Sequence, residues 1–328
     1  MRHANIALFV PHLGCPHQCT FCNQKHITGF SQKLTAEDVF KAVDVAVSNG
    51  VNAENTEIAF FGGSFTAIGR EYMLTLLEAA YKCVKEQGFI GIRISTRPDY
   101  IDEEILKIIK NYGVTSIELG AQSMCDGVLL ANERGHSSLD VIKASKLIKD
   151  SGFELGLQMM TGLYQSNDSL DIYTASELIK LKPNTVRIYP AITLKNTRLE
   201  LLYNDGKYVP QSLSKAVELC TNLSEMFESA GISVIRLGLH DIDKEAYVAG
   251  PWHPAFRELC DSNKFRRLVD AGIKNHGEYI VKVNPADVSK MIGQKKENIT
   301  YFKNKNINIK ILQDKSVNKD SIRVEEVK

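Results

Sequence analysis

Between Asn5 and Arg236, short β-branched or apolar runs alternate with longer amphipathic stretches, and this rhythm constrains the fold more than any other feature of the chain. Repeated strand–helix units cover their apolar faces most simply as a parallel sheet with helices packed against it. The pattern predicts strands at Ile6–Val10, Glu57–Phe61, Gly91–Ser95, Ser116–Leu119, Glu154–Gln158, Thr185–Tyr189 and Ser233–Arg236. Helices are expected at Ala36–Ser48, Arg70–Glu86, Asp102–Asn111, Ser138–Ser151, Asp168–Leu181 and Leu213–Ala230, where apolar residues recur three or four apart. Thr35 and Asp38 frame one helix start as a variant capping box, and Gly88, Gly113, Gly152 and Gly231 follow helix ends, where a left-handed residue is wanted. About six βα units without an eighth point to an α/β protein built on a partial (β/α) barrel, whose chemistry gathers at the carboxyl ends of the strands.

A length of 328 residues accommodates one large domain and a small one. A hydrophobic content of 44% with 24% charged residues is ordinary for a soluble protein. The apolar run Ile6-Ala7-Leu8-Phe9-Val10 is too short for a secretory core or a membrane span, and no longer run exists, so no membrane association is expected and the location predicted is cytoplasmic. The net charge of +1 hides an asymmetry, because Lys274 to Lys328 carry twelve Lys or Arg against seven Asp or Glu, leaving 28 basic against 32 acidic residues before them. A basic tail suits a polyanionic partner, although solvated surface lysines produce such runs too.

Cys15, Cys19 and Cys22 stand in the run Gly14-Cys15-Pro16-His17-Gln18-Cys19-Thr20-Phe21-Cys22-Asn23, within a long loop after the first strand. Loops of this length inside compact domains are usually functional. Three thiolates can hold a cluster of four irons and leave one iron open, whereas a structural metal site closes its shell. A zinc site completed by His12, His17 or His26 is the alternative, but structural zinc signatures bring a second close pair of ligands and none follows. Cys83, Cys125, Cys220 and Cys260 are scattered and read as small apolar residues, and seven cysteines without a framework pattern suit a reducing compartment.

Further unusual motifs fall after successive strands. Phe61-Gly62-Gly63-Ser64 offers open backbone groups to a ligand or simply makes a tight turn. Ser95-Thr96-Arg97-Pro98-Asp99 combines hydroxyl, guanidinium and carboxylate, with a helix cap at Asp99 or Asp102 as the plainer reading. Glu118-Leu119-Gly120-Ala121-Gln122-Ser123 and Arg134-Gly135-His136 place polar groups over the same region. Tyr189, Lys195 and His240 are candidate substrate contacts, with structural roles open to each.

Taken in order, Cys-x3-Cys-x2-Cys, Gly-Gly, Thr-Arg-Pro-Asp, Glu-Leu-Gly-x-Gln-Ser and Arg-Gly-His resemble the radical S-adenosylmethionine (SAM) superfamily. Met160-Thr161-Gly162-Leu163, Ile188-Tyr189-Pro190 and the segment from Asn196 to Tyr208 resemble, within it, the radical domain of the Elongator catalytic subunit. The resemblance runs from about Ala4 to Arg236. Elongator subunits space their first two cluster cysteines further apart, and the short spacing here resembles the superfamily at large, including oxygen-independent coproporphyrinogen oxidase. They also carry an acetyltransferase domain after the radical domain, which this sequence is too short to contain, so acetyl-CoA chemistry is not expected.

The resemblance implies an enzyme with a 4Fe–4S cluster on Cys15, Cys19 and Cys22 and with SAM on its open iron. It implies Gly62 and Gly63 at the methionine amino group, Ser95 at the ribose, Phe21 beside the adenine, and Gln122, Arg134 and Glu118 as further cofactor contacts. Reductive cleavage of SAM would give a 5'-deoxyadenosyl radical that removes hydrogen from the substrate, with flavodoxin or ferredoxin as electron donor. A surface ion pair is the plain alternative for Arg134.

Past Gly238 the βα rhythm stops, and Pro251-Trp252-His253-Pro254 reads as a segment packed on the barrel. The expected organisation is a radical domain over 1–237, a connecting segment over 238–273 and a basic α+β module over 274–328. From Glu278 the order strand, helix, Ile292-Gly293-Gln294-Lys295-Lys296, helix, strand, strand resembles a KH module, which clamps single-stranded nucleic acid with a Gly-x-x-Gly loop. Gly293, Lys295 and Lys296 become candidate RNA contacts, and Lys296 stands where that family has its second glycine. A lysine-rich capping domain is the alternative. The reading that follows is a radical SAM enzyme acting on RNA, transfer or ribosomal, beside two others: the same chemistry on a small molecule, or a non-catalytic RNA-binding protein with a structural metal.

Overall fold

The computed structural model describes residues 4–10, 15, 18–23, 33–239 and 242–327. Strands β1 (Ala4–Val10), β2 (Thr56–Gly62), β3 (Gly91–Thr96), β4 (Val114–Gln122), β5 (Glu154–Thr161) and β6 (Thr185–Pro190) alternate with helices α1 (Ala36–Ser48), α2 (Arg70–Gln87), α3 (Glu103–Asn111), α4 (Asp126–Ala131), α5 (Ser138–Asp150) and α6 (Asp168–Lys180). After β6 come the short strand β7 (Thr193–Leu194), α7 (Arg198–Asn204), α8 (Leu213–Ser229), β8 (Ser233–Leu237), β9 (Tyr247–Ala249) and α9 (Phe256–Gly272). The seven long strands form one all-parallel sheet in the order β1-β2-β3-β4-β5-β6-β8, a curled half-barrel as the alternation predicts.

Period-two alternation decides which residues face where. Ile58, Phe60, Ile92, Ile94, Ile117, Leu119, Leu155, Leu157, Val186 and Ile188 join helix residues such as Val39, Leu76, Ile109, Ile148 and Phe227 in one core. Each such side chain contributes about 1.5–3 kcal/mol by leaving water. The alternate positions on the same strands carry Glu57, Arg93, Ser95, Glu118, Gln158 and Arg187, so the concave face is polar.

The helix signals work as expected. Thr35 accepts from the Asp38 amide while the Asp38 carboxylate accepts from the Thr35 amide, and Gly88 ends α2 at φ 76°. Asp102, not Asp99, caps α3 through the Ile105 amide. Nothing in the residue pattern signals α4, α7 or the β7–β9 pair, because elements of two to seven residues are too short to show a period. Trp252 packs with Ile192, Leu194 and Ala246 beside that pair.

The segment between barrel and module is mostly α9, a helix with few apolar positions. Phe256 and Cys260 belong to the barrel core, while Phe265 and Val269 belong to a second core with Tyr279, Val281, Val283, Met291 and Phe302. That second core is built from β10 (Gly277–Val283), α10 (Val288–Ile292), α11 (Glu297–Asn304), β11 (Ile307–Gln313) and β12 (Ile322–Glu326). The strand order is β11-β10-β12, with β10 parallel to β11 and antiparallel to β12.

Candidate active site at the strand ends

The described part of the cysteine loop is held by buried hydrogen bonds. Asn132, fully buried after α4, accepts from the Thr20 hydroxyl at 2.8 Å and through its own carbonyl from the Thr20 amide at 3.2 Å. Its Nδ2 donates to the carbonyls of Val128 and Tyr164, tying the loop to two neighbouring strand-end segments. The Leu199 amide donates to the Thr20 carbonyl, and Asn23 Nδ2 donates to the Lys195 carbonyl. Phe21 packs with Val128, Leu163, Ala191 and Met160 in a small apolar cluster over the strand ends.

The glycine pair after β2 is sterically required at its first member. Gly62 has φ 112°, and a Cβ there would lie 2.4 Å from the Val10 carbonyl oxygen. The Gly63 amide donates to that same oxygen, which pins the loop to β1. Ser64 bonds to Thr96, Thr66 bonds to Thr96, and the Ser64 amide donates to the Cys15 sulfur. Burial pushes the Cys15 thiol up, against the Ser64 amide and the positive fields of Arg97 and Arg134, which favour the thiolate.

Arg134 is buried at 7% exposure, with Nη1 3.2 Å from Cys19 Sγ and Nη2 donating to the Gly120 carbonyl at 2.7 Å. Its position is therefore interior, and the surface ion pair is set aside. Gln122 ends β4 at a bulge with φ 64°, a left-handed conformation that costs a non-glycine residue about 1–2 kcal/mol. A Cβ at Gly120 would lie 2.9 Å from Gln122 Nε2, so the glycine makes room for the side chain that the bulge re-aims. Four buried polar atoms here have no partner among the described residues, Gln122 Oε1, Arg134 Nε, Arg97 Nη1 and His136 Nδ1. Orphaned buried acceptors and donors are costly unless a ligand completes them.

Arg97 serves these residues: it grips Asp99 with two hydrogen bonds, and its Nη2 donates to the Arg134 carbonyl. Asp99 is thereby a partner for Arg97 rather than a cap. His136 is buried, with Nε2 3.2 Å from the Ala121 carbonyl, and burial together with the Arg134 charge lowers its pKa to about 4, so it is neutral at physiological pH.

Glu118, implied by the resemblance as a cofactor contact, is held among side chains of the polar concave face. Its carboxylate accepts from Arg187 Nε at 2.6 Å and Nη2 at 2.8 Å, from Arg93 Nη1 at 3.3 Å and from Gln158 Nε2 at 3.0 Å. Arg93 also donates to Glu57 at 2.6 Å, and the Arg187 guanidinium lies 4.9 Å from the Phe61 ring centre. Both oxygens of Glu118 are thus engaged in a buried network beneath the rim. Burial works against the Arg187 charge, but Glu118 outweighs it and holds the guanidinium pKa above its ordinary value. Ser95 is half-buried and accepts from Gln158 at 3.2 Å, at the upper edge of the network.

Tyr189 is half-buried at the end of β6, and burial raises its phenol pKa. Lys195 is exposed beside the cysteine loop. His240 lies outside the described residues, as do His12, His17 and His26. Arg93, Glu57, Gln158 and Arg187 were missed in the sequence, although charged residues at alternate positions of apolar strands were the available sign. Cys83, Cys220 and Cys260 are buried thiols, Cys260 pushed up by burial to about 12, as expected of apolar bystanders.

No group of three His, Cys, Asp or Glu side chains among the described residues converges on a single-ion site. A cluster asks for something different, since its thiolates attach to separate irons. The cationic Arg97 and Arg134 beside Cys15 and Cys19, the Ser64 amide on sulfur, and the orphaned atoms of Gln122 and Arg134 fit an anionic thiolate centre with a polar ligand next to it.

A partial barrel with three loop cysteines at its strand ends defines the class, and the comparisons agree. The family model described as the radical SAM superfamily matches residues 9–174, and that of the Radical_SAM C-terminal domain matches 183–264. The chain belongs to the radical SAM superfamily. It is accordingly an enzyme, and the cofactors of its family are a 4Fe–4S cluster and SAM. Within that class it is 31% identical over 183 residues to a tRNA uridine(34) acetyltransferase of Methanocaldococcus jannaschii, covering 50% of this chain and 34% of that protein. It is 30% identical over 245 residues to Elongator complex protein 3 of Bos taurus, covering 69% of this chain and 44% of that one. The chain therefore spans less than half the length of these relatives. The solved structure of Methanocaldococcus infernus Elp3 with an N-terminal deletion superposes with a TM-score of 0.65 at 21% identity, over 85% of this chain and 66% of that one, which shows a common fold. Among the described residues no helix is long and apolar enough to cross a membrane.

Proposed function

We propose that this protein is a radical SAM enzyme that modifies RNA, with transfer RNA as the leading substrate class. The observation that carries the catalytic half is the orphaned pair Gln122 Oε1 and Arg134 Nε beside Cys19. Cys15, Cys19 and Cys22 would hold the 4Fe–4S cluster, while Gly62, Gly63, Ser95, Gln122 and Arg134 would hold SAM and Phe21 would cover the adenine. Bound together and reduced by a flavodoxin or ferredoxin, the two cofactors supply cleavage of SAM to methionine and a hydrogen-abstracting 5'-deoxyadenosyl radical.

The chain's own residues prepare that chemistry. Arg97 fixes the Arg134 carbonyl, and Arg134 in turn presents its guanidinium to Cys19 and keeps Nε for a ligand. An arginine fork suits a carboxylate better than a lysine would. The left-handed backbone of Gln122 turns its side chain over Gly120, where Arg134 Nη2 also lies. Neutral His136 supports Ala121 without adding charge, and the buried Glu118 network keeps the barrel floor polar but internally neutralised.

The RNA half is supported by the names of the relatives, one of which acts on tRNA uridine(34), and by the basic module. Its strand, helix, helix, strand, strand order is compatible with a KH-like reading, and Lys295 and Lys296 stand exposed in left-handed conformations at φ 49° and 63°. Two consecutive non-glycine residues held so are a strained loop of the kind that accumulates at binding sites. Anaerobic reconstitution followed by reduction with SAM should yield 5'-deoxyadenosine, and none from a protein with a full cluster would refute the enzyme assignment. Mass spectrometry of total RNA nucleosides with and without the gene should reveal one missing modified nucleoside; unchanged RNA would refute the substrate class.

A further inference from the structure

A crevice of about 350 Å³ opens where the barrel meets the module, walled by Leu213 and Val217 of α8, Leu259, Asn263 and Arg266 of α9, and Glu297 at the start of α11. None of its lining residues belongs to the strand-end site described above, and no step assigned there uses it. Asn263 is only 7% exposed, yet its Oδ1 is buried with no hydrogen-bond partner among the described residues. Such an atom is expensive to keep unless something brings it a donor.

Arg266 adds a second unfilled capacity. Its guanidinium lies 4.8 Å from the Tyr301 ring centre, and no acidic partner for it is found among the described residues. The acid one turn along α9, Asp270, is taken by Lys305 and by the Tyr301 hydroxyl. A planar cation beside one aromatic ring can also take a second planar group against its plane. At the start of α11, Lys296 occupies the cap position and makes no side-chain capping bond, while the Glu297 amide donates to the Gln294 carbonyl.

These features select one occupant. The Glu297 carboxylate in the wall disfavours an anion inside the crevice, while the apolar side chains of Leu213, Val217 and Leu259 favour a flat, weakly polar body. A carboxylate and an amide oxygen together accept from an exocyclic amino group. Outside the crevice, Lys295 and Lys296 precede Glu297 in the chain and are exposed, where a phosphate attached to that flat body would meet them. We propose that this crevice is a nucleotide subsite for single-stranded RNA, in which an amino-bearing base stacks on Arg266 and is read by Asn263 and Glu297 while its phosphate lies on Lys295 and Lys296. The proposal rests on the RNA reading given above and adds where one nucleotide is gripped, away from the site of chemistry.

The test uses the full chain with its cluster, kept anaerobic, and fluorescence anisotropy of a labelled, unstructured adenine- and cytosine-containing dodecamer RNA at several salt concentrations. Arg266→Ala should weaken binding about tenfold or more, the size of losing one stacked base. Arg266→Lys, which keeps the charge and removes the plane, should lose nearly as much with an unchanged salt slope. The pair Lys295→Ala with Lys296→Ala should flatten the slope of log affinity against log salt by about 1.4, as expected for two phosphate contacts on a single strand. Arg267→Ala, which loses the half-buried pair with Glu225 and a hydrogen bond to the Glu218 carbonyl, should bind like wild type, and 5'-deoxyadenosine formation without RNA should be unchanged in all of these. Wild-type affinity in both Arg266 variants would overturn the crevice and leave the RNA reading standing. Failure of the unaltered protein to bind either the dodecamer or transfer RNA at 50 mM salt, about the lowest end of the range over which such contacts are read, would overturn the RNA reading and the crevice with it.

Discussion

Replacing Glu118 by Gln tests whether this carboxylate neutralises the barrel floor or serves a cofactor. The side chain is 1% exposed and accepts four hydrogen bonds, two of them from Arg187. A glutamine keeps one oxygen and turns an NH2 group toward a guanidinium donor, so at least two charge-assisted bonds fail whichever way the amide points. At about 1.5–3 kcal/mol each, that agrees with the roughly 3–5 kcal/mol seen when one partner of a buried ion pair is removed. With about 2.1 cal/mol/K of unfolding entropy per residue, the 328-residue chain should lose about 4–7 °C in Tm. The measurement is calorimetry of the cluster-free protein, so that loss of iron does not contribute. Adding Arg187→Met removes the stranded cation and leaves the Arg93–Glu57 pair intact, and should restore at least half of the loss. If Glu118→Gln melts within about 1 °C of wild type while the affinity for SAM falls tenfold, the network assignment is wrong and Glu118 is a cofactor contact.

Further outcomes follow from other residues. His136, neutral in the fold with a pKa of about 4 against about 6.5 when unfolded, makes acid destabilising: as pH falls from 6.5 to 4 the unfolded state takes up the proton first. This group should remove about 3 kcal/mol over that window, and denaturant titrations of His136→Gln should show a correspondingly flatter pH profile. Gln122→Gly relieves the left-handed strain and should raise stability by up to about 1 kcal/mol, while calorimetry with SAM should show weaker binding; a destabilised variant would contradict the strain at Gln122. Asn132→Ala strands the Thr20 hydroxyl and frees the Tyr164 carbonyl, costing about 1–3 kcal/mol and lowering iron bound per chain after reconstitution. Cys19→Ala should abolish 5'-deoxyadenosine while leaving RNA affinity intact, and retained product would disprove the cluster assignment.

Legibility in the sequence followed the physical range of each interaction. Strand and helix identity along the barrel depends on short-range periodicity and on caps such as Thr35–Asp38, and these were readable. The cysteine triplet was readable because its spacing is local. The network around Glu118 was hidden because its partners sit on neighbouring strands, brought together only by the registers Glu118↔Gly156 and Gln158↔Arg187. Arg93 and Arg187 were overlooked because a charge inside an apolar strand has meaning only once its partners, distant in the chain, are known. The length of α9 stayed hidden because its apolar face is divided between two cores, leaving no continuous stripe along the helix.

That division has a mechanical consequence. A helix of 17 residues is about 25 Å long and turns about 100° per residue, and α9 is seated in the barrel at one end and in the module at the other. It acts as a spacer with a fixed angular phase: one inserted residue would swing one core about 100° around the helix axis relative to the other. A strand held by the module as proposed would therefore meet the strand ends at a set reach and a set bearing, so that the choice of which atom is reached would be a matter of measured length as much as of chemical recognition.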